Sequence, residues 1–205
     1  GITLHLAVDG ISAPLVLLTG IVIFAGVFVS WNISYRNKDY FALLFLLVSG
    51  VFGVFLSFDL FFLFFFYEVA VLPMYLLIAV WGASSDFGTF TRTKEYGAMK
   101  LMLYLVAGSV LVFIAILATF VEADKGTFDL TVLGSVAYDE NFQKTFFPFF
   151  MIGFGVLAGL WPFHTWSPDG HVAAPTAVSM LHAGVLMKLG AFGILRVGMT
   201  LMPEG

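Results

Sequence analysis

Long apolar runs separated by short polar breaks make up most of this chain. A helix that spans a bilayer needs about 20 mostly apolar residues, and six runs meet this condition. Their predicted bounds are about 11–31, 40–57, 59–82, 96–121, 145–161 and 175–198. The strand-like alternation typical of membrane β-barrels is absent. The pattern therefore predicts an all-α, polytopic transmembrane helix bundle of about six spans, forming a single membrane domain over residues 1–205.

Proline and glycine interrupt the chain between the fifth and sixth runs. The stretch 162–175, PFHTWSPDGHVAAP, holds three prolines, and a proline inside a helix removes a backbone donor and breaks the helix. We therefore expect a broken helix around residues 146–175. Broken helices at membrane depth often mark ion pathways, because their free backbone groups line a cavity.

Composition supports the membrane assignment. The chain is 60% hydrophobic and only 11% charged, whereas an ordinary soluble domain is roughly 25% charged. The mean hydropathy is +1.02. The sequence contains no cysteine, which excludes disulfides and thiolate metal sites, and a net charge of −4 does not indicate nucleic-acid binding.

The short loops predict an orientation. We call the N-terminal side of the bundle side A and the opposite side B. The loops on side B carry most of the basic residues, namely Arg36, Lys38, Arg92 and Lys94. Side A has Lys125 and Lys144, diluted by acidic residues. Because cytoplasmic loops carry an excess of lysine and arginine, we expect side B to be cytoplasmic.

Four ionisable residues lie inside the predicted spans and away from their ends: Glu68, Lys100, His182 and Lys188. A charge at the bilayer centre costs about 2.5–3.5 kcal/mol, so such side chains face the bundle interior and are functional candidates. Structural interpretations stay open for each of them. Glu68 could bond a neighbouring helix, Lys188 could form a permanent salt bridge, His182 could be a satisfied core residue, and Lys100 could anchor its helix at the membrane surface.

The surroundings of Glu68 are locally polar. It lies nine residues past Asp59, about 13 Å along its helix and near mid-membrane. Pro73 follows five residues later and removes the donor that would bond the Val69 carbonyl. Asp59 itself and Lys94 lie at helix ends, where we expect both to be solvated.

A metal site in FHTWSPDGH was considered and is not favoured. His164 and His171 are seven residues apart with Asp169 between them. This spacing lacks the i, i+4 arrangement of helical ligands and a third strong ligand. The sequence also contains no phosphate-binding glycine-rich loop after a strand. We expect no metal and no cofactor in this chain.

Two stretches resemble a known family. LFFFYEVAVLPMYLLIAVWG (63–82) and PFHTWSPDGHVAAPTAVSMLHAGVLMKLGAFGILR (162–196) are similar to the antiporter-like membrane subunits of respiratory complex I, NADH:quinone oxidoreductase. The similarity is to the M-type chains, the counterparts of mitochondrial subunit 4. It covers essentially the whole chain as helices three to eight of about fourteen, with residues 40–198 as the first inverted repeat. The abrupt ends of the sequence also indicate a piece of a longer protein.

The resemblance implies a role in proton transfer for four residues. Glu68 falls on the essential glutamate of helix five, and Lys188 falls on the central lysine of helix eight. His182 matches a histidine of related L-type and sodium/proton antiporter subunits, and Lys100 lies where bacterial M-type chains often carry a lysine. The broken-helix motif of the family falls on Pro162, His164, Asp169 and His171.

One position departs from the family. The lysine expected on helix seven, five residues before Pro162, is Leu157 here. The usual glutamate–lysine pair is therefore missing from the sequence. Our hypothesis is that Lys100, His182 or Lys188 supplies the cation for Glu68.

The resemblance implies a proton-translocating membrane subunit, coupled to quinone reduction elsewhere, without redox chemistry of its own. NAD, FMN, iron–sulfur clusters and quinone are expected in partner subunits. The implied partners are other membrane subunits, the lipid bilayer, protons and internal water, in a bacterial cytoplasmic (inner) membrane with the N-terminal end on the periplasmic side. The alternatives are a homologous subunit of a sodium/proton antiporter or membrane-bound hydrogenase, and a scaffold without transport.

Overall fold

The computed structural model describes residues 1–86 and 91–205 and shows an all-α bundle. Within this part of the chain, six helical segments are long and apolar enough to cross a membrane. They are α1 (Ser12–Val29), α2 (Asn37–Leu56), α3 (Leu60–Trp81), α4 (Lys94–Ala123), the broken helix α6 (Glu140–Ala158) plus α7 (Trp166–Ala173), and α8 (Thr176–Leu201). A short helix α5 (Leu130–Leu133) follows α4, and strands β1 (Ser85–Asp86) and β2 (Thr91–Arg92) pair antiparallel. The predicted fold class is confirmed.

Two helices begin earlier than their apolar runs predict, because polar residues cap them. The Thr93 side chain accepts a hydrogen bond from the Tyr96 amide at 3.2 Å, so α4 starts at Lys94 rather than near 96. The Asp139 carboxylate accepts from the Asn141 amide at 3.1 Å, so α6 starts at Glu140 rather than near 145. Such caps satisfy amides that have no partner inside the helix.

The predicted break lies between α6 and α7. Helix α6 ends where Gly159 adopts a positive φ of 70°, a conformation that residues with a side chain rarely adopt. A 3₁₀ turn, Phe163–Thr165, then leads into α7 at Trp166. The broken helix is therefore confirmed, with its break at the glycine and proline that the sequence contains.

Two glycine contacts hold the helices at backbone distance. A Cβ on Gly50 of α2 would lie 2.6 Å from the amide nitrogen of Ala70 in α3. A Cβ on Gly190 of α8 would lie 2.4 Å from both the Ala158 nitrogen and the Phe154 carbonyl oxygen of α6. Only glycine allows such close approach, so α2 packs directly on α3 and α8 packs directly on α6.

The segment before α1 crosses the side A end of the bundle. The His5 carbonyl accepts from the Phe58 amide at 2.8 Å, and the Ala7 amide donates to the Leu56 carbonyl at 2.9 Å. This segment covers Asp59, which is fully buried and accepts from the Thr3, Phe61 and Phe62 amides. The expectation that Asp59 is solvated was therefore wrong, because the segment preceding α1 shields it from water.

Lys94 also differs from the simple expectation of a solvated helix end. Its side chain is half-buried, and its ammonium donates to the Val80 carbonyl near the end of α3 at 2.9 Å. The last carbonyls of a helix have no intrahelical partner and attract a cation. Lys94 therefore joins the start of α4 to the end of α3.

The packing of α1 on α8 can be tested with an engineered disulfide. A Cβ built on Gly26 lies 3.5 Å from the Ala177 Cβ, at the short end of the separation found in disulfides. We expect the double variant Gly26→Cys/Ala177→Cys to cross-link on mild oxidation, seen as a reducible mobility shift in a chain with no other cysteine. The pair Gly20→Cys/Ala177→Cys is the control and should not cross-link, since the space around Gly20 is open. Equal yields would contradict the packing.

Candidate functional site

Glu68 lies on α3 and points toward α4. The residue is half-buried, and its Oε1 atom is buried without a hydrogen-bond partner in the part of the chain that the structure describes. The Ser109 hydroxyl of α4 lies near the carboxylate but donates to the Val106 carbonyl of its own helix at 3.0 Å. The preceding residue, Tyr67, donates to the Leu105 carbonyl at 3.2 Å. Two successive side chains of α3 therefore contact α4, and one carboxylate oxygen lacks a partner.

Two of the three candidate cations for Glu68, Lys100 and Lys188, have other partners. The Lys100 ammonium lies 2.7 Å from the Asp169 carboxylate, and Lys100 precedes Ser109 by nine residues, about 13 Å of helix. The Lys188 ammonium donates to two carbonyls of its own helix. Glu68 takes part in none of the ion pairs found among the described residues, 1–86 and 91–205. The hypothesis that Lys100, His182 or Lys188 supplies the cation for Glu68 stays a prediction.

Asp169 is the shared anion of a three-residue cluster on side B. It is buried on α7 and forms ion pairs with Lys100 of α4 and with Arg92 of β2. The Arg92 guanidinium and the Lys100 ammonium each lie 5.9 Å from the centroid of the Tyr96 ring. Gly97 permits this approach, since a Cβ there would lie 2.9 Å from the Asp169 carbonyl oxygen. The broken helix is thus held to α4 by charge and by close packing.

A stack of rings lies beside this cluster. The fully buried His182 of α8 has a ring-centroid distance of 4.0 Å to His171 and 5.1 Å to Trp166, both on α7. His171 shares a hydrogen bond of 3.0 Å with the Ser179 hydroxyl, and the Trp166 indole donates to the Val156 carbonyl at 3.0 Å. Neither ring nitrogen of His182 has a hydrogen-bond partner among the described residues. His182 is therefore a buried polar group without a protein partner.

The remaining positions of the broken-helix motif lie apart from this stack. Pro162 and His164 are exposed at the break itself. The motif is thus divided by the structure, because Asp169 and His171 face α4 and α8 whereas Pro162 and His164 do not. A group of three or more metal-binding side chains is not found in residues 1–86 and 91–205.

The hydrogen-bond acceptors of the Lys188 ammonium are backbone carbonyls of its own helix. A π-helical turn, His182–Leu186, immediately precedes it. Its ammonium donates to the Gly184 carbonyl at 2.6 Å and to the Ala183 carbonyl at 3.3 Å. A second π turn, Ile194–Gly198, follows before the helix ends. Such turns are frequent at functional sites. The sequence gives no distinct signal for them.

A partly buried ion pair on side A was not predicted. The Arg196 guanidinium of α8 lies 2.5 Å from the Asp9 carboxylate and 4.0 Å above the Phe58 ring. Burial by itself would raise the pKa of Asp9, but hydrogen bonds from Ser12 and the Arg196 charge outweigh it and hold this pKa below its usual value. Asp9 and Arg196 are 187 positions apart, so no local pattern in the sequence could indicate their pairing.

With these contacts established, the comparisons decide the family. The family described as "NADH:quinone oxidoreductase/Mrp antiporter, TM" matches residues 57–204. The chain belongs to this family. Membership in the NADH:quinone oxidoreductase/Mrp antiporter family confirms the resemblance predicted from the motifs, and it agrees with the observed bundle and broken helix.

Two relatives match over the full length of this chain. NAD(P)H-quinone oxidoreductase chain 4 3 of Picosynechococcus sp. (strain ATCC 27264 / PCC 7002 / PR-6) is 40% identical over 205 residues, which are 100% of this chain and 36% of that protein. NAD(P)H-quinone oxidoreductase chain 4-2 of Synechocystis sp. (strain ATCC 27184 / PCC 6803 / Kazusa) is 36% identical over 204 residues, 100% of this chain and 35% of that protein. The chain therefore spans about a third of the length of these relatives.

Solved structures of respiratory membrane complexes share the fold. Respiratory complex I from Thermus thermophilus with bound NADH contains a chain with a TM-score of 0.85 and 24% identity, covering 100% of this chain and 41% of that chain. The archaeal membrane-bound sulfane sulfur reductase contains one with a TM-score of 0.79 and 20% identity, covering 97% of this chain and 31% of that chain. At these identities the likeness shows the fold alone.

Because Asp169 is shared by two cations, replacing this anion should lower the stability of the protein more than replacing one of the cations. Asp169→Asn leaves two cations facing each other, so we expect it to destabilise the protein more than Lys100→Gln does. Breaking a buried pair costs about 3–5 kcal/mol, and the 41% exposure of the Arg92 side chain reduces this cost through solvent screening. The measurement is the midpoint of thermal unfolding of the purified protein in detergent. Glu140→Gln, in the exposed pair with Lys144, is the control, and a matching effect there would contradict the role.

Proposed function

We propose that this chain is part of a proton-translocating membrane subunit of an NADH:quinone oxidoreductase-type complex. The observation that carries the proposal is the Glu68 carboxylate, which lies inside a six-helix bundle with Oε1 buried and without a partner among the described residues. A buried polar atom without a partner costs about 1–3 kcal/mol, more for a charged group. Glu68 therefore favours binding a proton or an internal water molecule.

The chain supplies proton-carrying groups, and the driving reaction takes place elsewhere. Moving one elementary charge against 100 mV costs about 2.3 kcal/mol, so pumping requires coupling to a redox reaction. NAD, FMN, iron–sulfur clusters and quinone belong to partner subunits in this proposal. The coupling is electrostatic, because a change of charge in a neighbouring subunit alters the charge state that Glu68 favours.

The proposed path of the proton begins on side B, at the cluster of Asp169 with Arg92 and Lys100. Asp169 has a second cation in Arg92, so it keeps a counter-ion that does not depend on Lys100. The ring stack of His171 and His182 continues inward from Asp169, and Lys188 lies six residues further along α8, about 9 Å. Internal water joins these groups to Glu68, since the contacts between described side chains do not connect them directly.

Glu68→Gln tests the function. The amide is nearly isosteric and cannot carry the proton, so we expect normal assembly and loss of most proton translocation by the complex. Removing a proton-transferring group slows a reaction by roughly 10²–10⁴-fold. Assembly is checked by the amount of complex purified, and pumping by acidification of sealed vesicles during quinone reduction. Glu122→Gln, at the exposed end of α4, is the control.

Full pumping by the Glu68→Gln complex would favour the second candidate function, a scaffold without transport. One observation supports this candidate: Leu157 fills the family's lysine position, and it is buried among apolar residues. A subunit of a sodium/proton antiporter or of a membrane-bound hydrogenase is the other alternative. It would be identified by the chains that co-purify and by dependence of transport on sodium.

The orientation is a further part of the proposal. The basic loops on side B support a cytoplasmic position for that side, with the segment before α1 at the periplasm of a bacterial cytoplasmic membrane. We expect Lys125→Cys to react with a membrane-impermeant thiol reagent in intact cells. Lys38→Cys should react only after the membrane is permeabilised. The reverse pattern would overturn the orientation.

A further inference from the structure

The Asp9–Arg196 pair joins three elements on side A. Arg196 belongs to α8, Asp9 precedes α1, and Phe58 lies in the turn that leads from α2 into α3. The side chains of Arg196 and Asp9 are 17% and 27% exposed. The Asp9 carboxylate also accepts from the Ile11 and Ser12 amides, at 3.1 and 2.8 Å, which fixes its position at the start of α1.

The helix that carries Arg196 is not a uniform α-helix. Two π turns, His182–Leu186 and Ile194–Gly198, lie on either side of Lys188. Each π turn departs from the regular i→i+4 bonding of the helix. The position of the last turns of α8 is therefore not dictated by rigid continuation from the ring stack at His182. Arg196 lies in the second of these turns and joins it to the segment before α1.

Helix α8 contacts α6 and the start of α3 in different ways. Against α6 it packs through Gly190, with no side chain between the backbones. On the side of α3, the Arg196 guanidinium lies over the Phe58 ring. Phe58 is two residues before Leu60, where α3 begins, and α3 is the helix that carries Glu68. The aromatic face attracts the cation, and the partly buried ion pair with Asp9 adds to this attraction, so both contacts favour one position of the guanidinium.

We propose that Arg196 is a positioning residue. Through its contacts with Asp9 and Phe58, it fixes the position of the Lys188-bearing part of α8 along the helix axis, relative to α3. The proposal rests on the proposed function, since it concerns the alignment of Lys188 with Glu68. Arg196 does not itself exchange protons. Its guanidinium stays charged, and its role is to keep two proton-carrying helices in register.

The experiment uses the assembled complex with substitutions on each side of the pair. Arg196→Gln removes the cation. Asp9→Asn removes the anion but keeps an oxygen that can cap α1. We expect both variants to reduce quinone normally while translocating fewer protons per electron. Arg196→Lys keeps the charge and should restore most of the wild-type ratio. Lys144→Gln, in an exposed ion pair on the same side, is the matched control and should match the wild type.

A second measurement reports position without relying on transport. Leu189 is 1% exposed, and the sequence has no cysteine, so a thiol introduced at Leu189 reacts slowly while α8 keeps its place. In a Leu189→Cys background, we expect Arg196→Gln and Asp9→Asn to raise the rate of thiol labelling severalfold. Arg196→Lys should leave the rate close to that of the parent.

The outcomes separate this inference from the proposed function. An unchanged labelling rate in Arg196→Gln would overturn the positioning role whatever the transport result. A changed rate with an unchanged proton-to-electron ratio would also overturn it, because alignment would then not matter for transport. If Arg196→Gln fails to assemble, Asp9→Asn decides alone. The Glu68→Gln variant tests the proposed function independently.

Discussion

Every polar group inside a bilayer must find its partner within the protein, and the architecture of this chain follows from that constraint. Asp169 is shared by two cations, Lys188 bonds the backbone of its own helix, and Arg196 is held by Asp9 and an aromatic ring. Among the described residues, the buried side-chain atoms without a hydrogen-bond partner are Glu68 Oε1, both His182 ring nitrogens and Arg196 Nη2. Arg196 is already paired with Asp9, whereas Glu68 and His182 take part in none of the ion pairs among the described residues. In the proposed function, Glu68 and His182 are therefore the positions where water or a proton completes the structure.

The charges are also separated by depth. The Asp169 cluster lies at side B, the Asp9–Arg196 pair lies at side A, and Glu68 lies between them along α3. The two terminal clusters are ion pairs that hold helices together, whereas the middle carries titratable groups without fixed counter-ions. In the proposed function, this division keeps the ends of the bundle assembled while the charge in its middle changes.

The sequence was sufficient for the features that depend on local composition. Apolar runs predicted the six spans, and the prolines of the stretch 162–175 predicted the broken helix. The burial of Asp59 could not be read from its position at a helix end, because a distant segment covers it. The ion pairs of Asp169 with Lys100 and of Asp9 with Arg196 join residues 69 and 187 positions apart. Such pairings are decided by helix packing, which a single sequence does not contain.

The contact at Gly190 has a mechanical consequence. No side chain separates the backbones of α6 and α8 there, so a larger residue at position 190 would collide with the Ala158 nitrogen and the Phe154 carbonyl oxygen and force the two helices apart. Gly190 lies two residues after Lys188, and Ala158 is the last residue of α6 before the break at Gly159. The contact therefore sets how far the Lys188-bearing turn lies from the end of the first half of the broken helix.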